Sequence, residues 1–251
     1  MRHFLQRLRR SVAPFPFKEP VFILAAPRSG STFLFECLAQ FRELYSLNHE
    51  ADGVWWDLFP YDRKTPPDDS VSSAEATPEK ARSVRARLYL RAVMATASRR
   101  DAHPADLGYR LGVKPLRYLD KTIANCFHLS VLQDVFPDAR YVFLIRDPRA
   151  NISSMIEGWP HVKRFGKPQL TDRIQRSHTA TINHWTYPAP PGWEDQLSRP
   201  LPEICAWSWK QHVNRVFEFM QDADTKSVTV RYENLRDEAL LTIRTIADSF
   251  R

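Results

Sequence analysis

Two clusters of residues in this 251-residue chain could act on an anion. The first is Ala26-Pro27-Arg28-Ser29-Gly30-Ser31-Thr32, which follows the apolar run Val21 to Ala26 and precedes Phe33, Leu34, Cys37, Leu38 and Phe41 at helical spacing. Strand, tight loop and helix in that order aim free backbone N–H groups at one point, and the helix N-terminus adds positive potential. Ser31 and Thr32 add hydroxyl donors. The loop is not a Walker A sequence, because no Gly-Lys precedes the hydroxyl residue, and Gly30 stands alone, so it is not GxGxxG either. A lone glycine here suits a structural turn as well as a phosphate cradle. In the second cluster, Tyr141 to Ile145 reads as a buried strand ending in Arg146-Asp147-Pro148-Arg149, with Ser153 and Ser154 about two turns further on. Cations and hydroxyls gathered at the carboxyl end of a strand lie where open α/β sheets bind ligands. The competing reading is a local Arg146–Asp147 pair with serines that solvate a helix.

The elements that must position these clusters alternate. Helix marks at Phe127, Val131, Val135 and Phe136 lead through Pro137-Asp138 into the strand at 141–145, and Ala150 to Glu157 reads as a short helix. Val228 to Val230 reads as a third strand, between a helix marked by Trp209, Val213, Val216, Phe217 and Met220 and a last one marked by Leu240, Ile243, Ile246 and Ala247. Helix and strand in alternation predict βαβ topology, an α/β fold around a mainly parallel sheet. Residues 65–77 are polar and proline-rich, an exposed loop, and Thr77 then caps a helix over Pro78 to Ser98 with proline at its first position. That helix carries Arg82, Arg85, Arg87 and Arg91, with Arg99 and Arg100 beyond; they either solvate a face or meet an anionic substrate. Pro160 to Leu201 has no period and contains Tyr187-Pro188-Ala189-Pro190-Pro191-Gly192-Trp193, which is incompatible with a helix interior. A long irregular segment of this kind predicts a lid or binding loop. The expected organisation is a basic leader over 1–20 and one domain over 21–251 with an irregular 160–201 insertion.

Composition narrows the classes. Hydrophobic residues make up 43% of the chain and aromatic residues 12%, enough for a substantial core. Cys37, Cys126 and Cys205 are odd in number and widely spaced, which suggests neither a disulfide framework nor a zinc site. No apolar run approaches the ~20 residues of a membrane-spanning helix, and Met1 to Arg10 is basic without the apolar stretch of a secretory signal. It reads as a solvated leader, with contact to an anionic membrane as the alternative. The net charge of +7 suits an anionic ligand without choosing one. Nucleic acid is disfavoured, since no recognised binding module accompanies the charge. A P-loop kinase is disfavoured by the missing Gly-Lys-[Ser/Thr] and magnesium-binding acid. Trp55, Trp56, Trp159, Trp185, Trp193 and Trp207 read mostly as core, with sugar stacking as the alternative.

The motifs carry a resemblance. Pro27-Arg28-Ser29-Gly30-Ser31-Thr32-Phe33 resembles the 5′-phosphosulfate loop of the sulfotransferase family, and Arg146-Asp147-Pro148-Arg149 through Ser154 resembles its 3′-phosphate motif. Asp120-Lys121-Thr122, Phe136-Pro137-Asp138-Ala139-Arg140 and Arg231-Tyr232-Glu233-Asn234-Leu235 are similar to its Lys-Thr segment, FPDA-like turn and YEDL-like motif. The likeness runs from about Val21 to Phe250 and is nearer the bacterial and carbohydrate-type members than the phenol and steroid enzymes.

The resemblance implies a P-loop-containing three-layer sandwich and in-line transfer of a sulfonyl group from 3′-phosphoadenosine 5′-phosphosulfate (PAPS). The product nucleotide is 3′-phosphoadenosine 5′-phosphate (PAP), and no metal is implied. The acceptor is a hydroxyl or amine on a carbohydrate, lipid-linked compound or small metabolite. By resemblance, Ser29, Gly30, Ser31 and Thr32 hold the 5′-phosphosulfate, and Arg28 lies beside the leaving group, where an arginine stabilises charge without giving up its proton. Arg146 and Ser154 match the 3′-phosphate residues, Lys121 the lysine that approaches the transferred group, and Tyr232 a tyrosine near adenine, with a buried structural tyrosine as the alternative. Glu50 is expected to be the base, with the adjacent His49 as its competitor. Ile123 stands where the family usually has proline after Lys-Thr. The late glycine- and basic-rich loop of many members is missing before Arg251, so either the chain is truncated or the 160–201 segment supplies the lid. The alternative function is a catalytically silent nucleotide- or polyanion-binding protein. A bacterial cytoplasmic setting is expected.

Overall fold

The computed structural model describes residues 15–60, 63, 64, 66–97, 107–161, 163, 166–222 and 224–250. Met1 to Arg10, Arg99 and Arg100 lie outside the described residues. At the centre are five parallel strands in the order β2-β3-β1-β4-β5. They are β1 (Val21–Ala25), β2 (Leu44–Tyr45), β3 (Arg117–Asp120), β4 (Arg140–Ile145) and β5 (Ser227–Arg231). The eight principal helices are α1 (Ser31–Leu38), α2 (Asp52–Leu58), α3 (Pro78–Ala97), α4 (Leu129–Val135), α5 (Pro148–Gly158), α6 (Leu201–Met220), α7 (Tyr232–Asp237) and α8 (Ala239–Ser249).

The continuous apolar run of β1 is explained by its place between β3 and β4 with helices on both faces, which leaves no side for water. Phe22 and Leu24 pack with Val84 and Leu88 of α3, Val131 and Leu132 of α4 and Val216 of α6. Val21, Ile23 and Ala25 point the other way, to Leu34 and Leu38 of α1, Leu235 of α7 and Ile246 of α8. The period of two in the strand thus builds a helix–sheet–helix sandwich. Ahead of β1, Phe17 is buried against Tyr89, Tyr118 and Phe136, and Lys18 N–H donates to the Leu116 carbonyl.

Two strands escape the sequence patterns: β2 has two residues, and β3 ends in the buried acid Asp120 instead of an apolar residue. Helix α2 is likewise unanticipated. Helix α3 closely matches the expected span, with Thr77 Oγ1 accepting from Lys80 N–H at 3.3 Å. Its arginines bind within the protein: Arg87 to Asp57 at 2.6 Å, Arg82 to Glu79 at 3.3 Å, and Arg85 to the Val135 carbonyl at 2.9 Å. Residues 160–201 form a third core with α5 and α6, in which Trp159, Trp185, Trp193, Tyr187 and Leu170 are buried. Trp185 and Trp193 meet edge-on at 5.2 Å. No helix among the described residues is long and apolar enough to cross a membrane.

Candidate active site

The carboxyl ends of β1, β3 and β4 open on a cleft of about 730 Å³. Its lining brings together Arg28, Gly30, Ser31, Thr32, Glu50, Lys121, Arg146 and Ser154, which come from four separate stretches of the chain. His49, Asp52, Trp56, Lys167, Tyr187 and Pro188 also line it, so the 160–201 segment contributes to the wall.

The loop after β1 is shaped by two left-handed residues, Arg28 at φ +66° and Gly30 at φ +91°. For arginine that conformation costs roughly 1–2 kcal/mol, and non-glycine residues held this way concentrate at functional sites. Gly30 is required twice over, because a Cβ there would stand 2.4 Å from the ring of Tyr232. Ser29 turns inward, its hydroxyl 2.7 Å from both the Ala26 carbonyl and Asn151 Oδ1. Asn151 Nδ2 donates to the Pro27 carbonyl at 2.6 Å, so this buried side chain of α5 staples the loop from beneath. Only the backbone of Ser29 can therefore face a ligand, whereas Thr32 and Arg28 are exposed to the cleft.

The second cluster packs against the first. Asp147 caps α5 by accepting from the N–H groups of Arg149 and Ala150, and pairs with Arg149 at 3.0 Å. The local partner of Asp147 is thus Arg149, and among the described residues Arg146 makes no ion pair. Arg146 donates to the Arg28 carbonyl at 3.0 Å and stacks on Tyr232 with 4.8 Å from its guanidinium carbon to the ring centroid. Arg28 Nε donates to Ser154 Oγ at 3.3 Å. Ser153 is directed along the helix to Glu157. The Tyr187 hydroxyl reaches over α5 to the Met155 carbonyl at 3.1 Å and passes so close to Gly158 that a Cβ there would lie 2.2 Å from it. Burial pushes the Tyr187 phenol up to about 12, against the pull of Arg28.

Lys121 and Glu50 are brought together by the backbone before their side chains meet. Buried Asp120 accepts from Thr122 Oγ1 at 2.9 Å and Asn125 Nδ2 at 2.6 Å, which fixes the turn after β3. Thr122 Oγ1 accepts from the Ala51 N–H at 2.6 Å, which ties that turn to the segment holding Glu50. Lys121 Nζ then lies 2.9 Å from Glu50 Oε1 and 3.3 Å from Thr32 Oγ1. Ile123 is buried and opens a short 3-10 turn, so the path after Lys-Thr holds without proline. His49 is exposed and bonds the Glu50 carbonyl through Nδ1 at 2.7 Å.

Sequence reasoning missed Asn151, Asp52 and Lys167. Lys167, 6% exposed, pairs with Asp69 at 3.5 Å and stands 4.7 Å over the Trp56 ring. Burial pulls its ammonium down, but Asp69, Asp52 and Glu50 outweigh it and hold it above the usual lysine value. Burial pushes the Asp52 carboxyl up to about 7, opposed by Lys167 and reinforced by Glu50, Asp69 and Asp120. His128 and His212 are buried and driven down by desolvation to about 3 and about 4, which leaves them neutral core groups. Among the described residues no three His, Cys, Asp or Glu side chains are placed to hold a metal ion.

Guanidinium groups, an ammonium, hydroxyls and a helix N-terminus converging on one cleft, with a carboxylate at the side, form a donor set suited to a multiply charged anion and to removal of one proton. The profile of the Sulfotransferase family matches residues 20–192. No curated protein matches the chain. Among solved structures, the sulfotransferase STF9 of Mycobacterium avium is similar over 99% of this chain and 67% of its own, at 16% identity and a TM-score of 0.50. A sulfotransferase from Alicyclobacillus acidocaldarius is similar over 93% and 81%, at 12% identity and a TM-score of 0.48. Mouse SULT7A1 complexed with PAP is similar over 97% and 62%, at 11% identity and a TM-score of 0.43.

Proposed function

The chain belongs to the sulfotransferase family, and on that premise we propose that it transfers a sulfonyl group from PAPS to a hydroxyl of a small or carbohydrate acceptor. The observation that carries the reading is the meeting of Lys121, Glu50 and Thr32 within 3.3 Å at the mouth of the loop that Arg146 braces from the other side.

PAPS supplies the activated sulfonyl group. The N–H groups of Gly30, Ser31 and Thr32 and the hydroxyls of Ser31 and Thr32 hold its 5′ end, with Lys121 between Thr32 and the Glu50 carboxylate. Arg28 and Lys121 place fixed positive charge where negative charge grows during transfer, and preorganised charge of this kind needs no rearrangement at the moment of reaction. Arg146 and Ser154 bind the 3′-phosphate, for which an arginine fork is suited in shape and charge. Tyr232 orients Arg146 by carrying its guanidinium on the ring face. Glu50 accepts the proton of the acceptor hydroxyl. Its partial burial and its contact with Lys121 favour it over exposed His49, whose Nδ1 is already engaged by the backbone.

Calorimetric titration with PAP, with ATP and 5′-AMP as controls, tests the donor. Micromolar binding selective for the 3′-phosphate, weakened about 10–100-fold in Arg146→Ala, is expected from the loss of a charge-assisted pair. An absence of binding at millimolar PAP refutes the donor assignment.

A further inference from the structure

Asp52 has no part in the reading above, yet it lines the same cleft two residues beyond Glu50, at the start of α2. Its Oδ1 is withdrawn from solvent and has no hydrogen-bond partner among the described residues. Such a group calls for an explanation, of which a missing ligand group is one. The neighbouring groups are already committed. Glu50 is held by Lys121 at 2.9 Å, and Lys167 by Asp69 at 3.5 Å and by the Trp56 ring. The free valence between them belongs to Asp52.

We propose that Asp52 is a specificity-determining residue of the acceptor subsite, bonding a second hydroxyl near the one that Glu50 deprotonates, so that polyhydroxylated acceptors are favoured over monohydric ones. The inference rests on the sulfonyl-transfer reading of this cleft. The chemistry selects a hydroxyl over other partners. Burial raises the Asp52 carboxyl to about 7, with Lys167 opposing and Glu50, Asp69 and Asp120 reinforcing, so both protonation states are populated near neutral pH. A hydroxyl both donates and accepts, so it satisfies either state. An ammonium would need the ionised form and would meet Lys167, and a carboxylate would need the neutral form and would meet Glu50. Trp56, Ile123 and Pro188 give the acceptor body an apolar wall.

The test compares wild type, Asp52→Asn and Asp52→Ala with PAPS and the matched acceptors catechol and phenol, and measures PAP affinity on all three proteins. Intrinsic reactivity cancels when the catechol-to-phenol ratio of kcat/KM is compared between proteins. The expected result is a ratio about 10-fold lower in Asp52→Ala, expressed mainly in the KM for catechol, with most of it restored in Asp52→Asn, whose amide also donates and accepts. PAP affinity within about twofold in each variant shows an intact fold and donor site. A ratio that stays within about twofold in Asp52→Ala overturns the inference, as does a wild type that binds PAP and shows no preference for catechol. A wild type that does not bind PAP overturns the donor assignment itself, which the calorimetry reads separately.

Discussion

The ring of Tyr232 fills the space in which any side chain at position 30 would begin: a Cβ on Gly30 would stand 2.4 Å from both Cδ2 and Cε2. The same ring carries the guanidinium of Arg146 at 4.8 Å. One tyrosine, at the end of β5, therefore sets both the path of the loop after β1 and the pose of the arginine after β4.

Gly30→Ala is expected to destabilise the fold by about 2–4 kcal/mol, combining a left-handed non-glycine residue with overpacking. Tyr232→Ala in the same chain should relieve part of the loss. Denaturant melts of the two single variants and the double variant measure that coupling, and strict additivity would contradict the contact.

Thr122 touches neither end of the reaction but yokes Lys121 to Glu50 through the Ala51 N–H. Thr122→Val leaves that buried donor and the Asp120 carboxylate short of a partner, a loss of about 1–3 kcal/mol. Its kcat should fall with little change in PAP affinity, and Thr122→Ser should recover both quantities. Equal loss in the serine variant would show that the methyl group, not the hydroxyl, does the positioning.

Asn151 joins α5 to the loop through Pro27 and Ser29. Asn151→Ala should cost about 1–3 kcal/mol and weaken PAP binding about 10-fold, because the Pro27 carbonyl loses its buried donor while Ser29 is left with the Ala26 carbonyl alone. Unchanged PAP affinity in a folded variant would mean that the loop keeps its shape without the staple.

Glu50→Gln retains the shape of the side chain and removes its basicity. A fall in kcat of about 10²–10⁴-fold is expected, with PAP affinity within about twofold. If His49→Gln produces that fall instead, the base is His49.

The buried acid gives stability a pH signature. Asp52 is raised to about 7 in the folded protein from 3.8, so between about pH 4 and 7 the unfolded chain releases a proton that the folded one keeps. Stability from this group is full below pH 4 and is lost as the pH climbs to 7, by about 2–4 kcal/mol in all. His128 and His212, lowered by burial, act with the opposite sign, adding stability from about pH 3 or 4 up to the ordinary histidine range near 6.5. Their contribution is common to wild type and Asp52→Asn and cancels in the difference. Relative to wild type, Asp52→Asn should gain Tm steadily from pH 4 to 7, and a flat difference would place Asp52 in water.

The legible part of this molecule was what repeats along the chain. The run Val21 to Ala26, the strand before Arg146 and the helical spacing after Gly30 could be read because burial on both faces leaves a local pattern. Strand β3 was hidden because Asp120 satisfies its buried carboxylate with Thr122 and Asn125, an arrangement no periodicity announces. Most of the candidate site residues were named from two motifs, and the structure brings those residues into one cleft. Asn151 and Lys167 escaped because their partners lie about 100 or more positions away, Asn151 at Pro27 and Lys167 at Asp69. Asp52 escaped because its significance lies in a bond it does not make.

The placement of the tryptophans has an optical consequence. Trp55, Trp159, Trp185 and Trp193 are sealed in the interior, whereas Trp56 is partly exposed on the wall of the cleft beneath the Lys167 ammonium. Displacing water from that indole, or shifting the cation above it, changes its emission while the buried fluorophores stay constant. Occupancy of the acceptor side can thus be followed as a difference spectrum on the unlabelled protein, with Trp56→Phe as its blank.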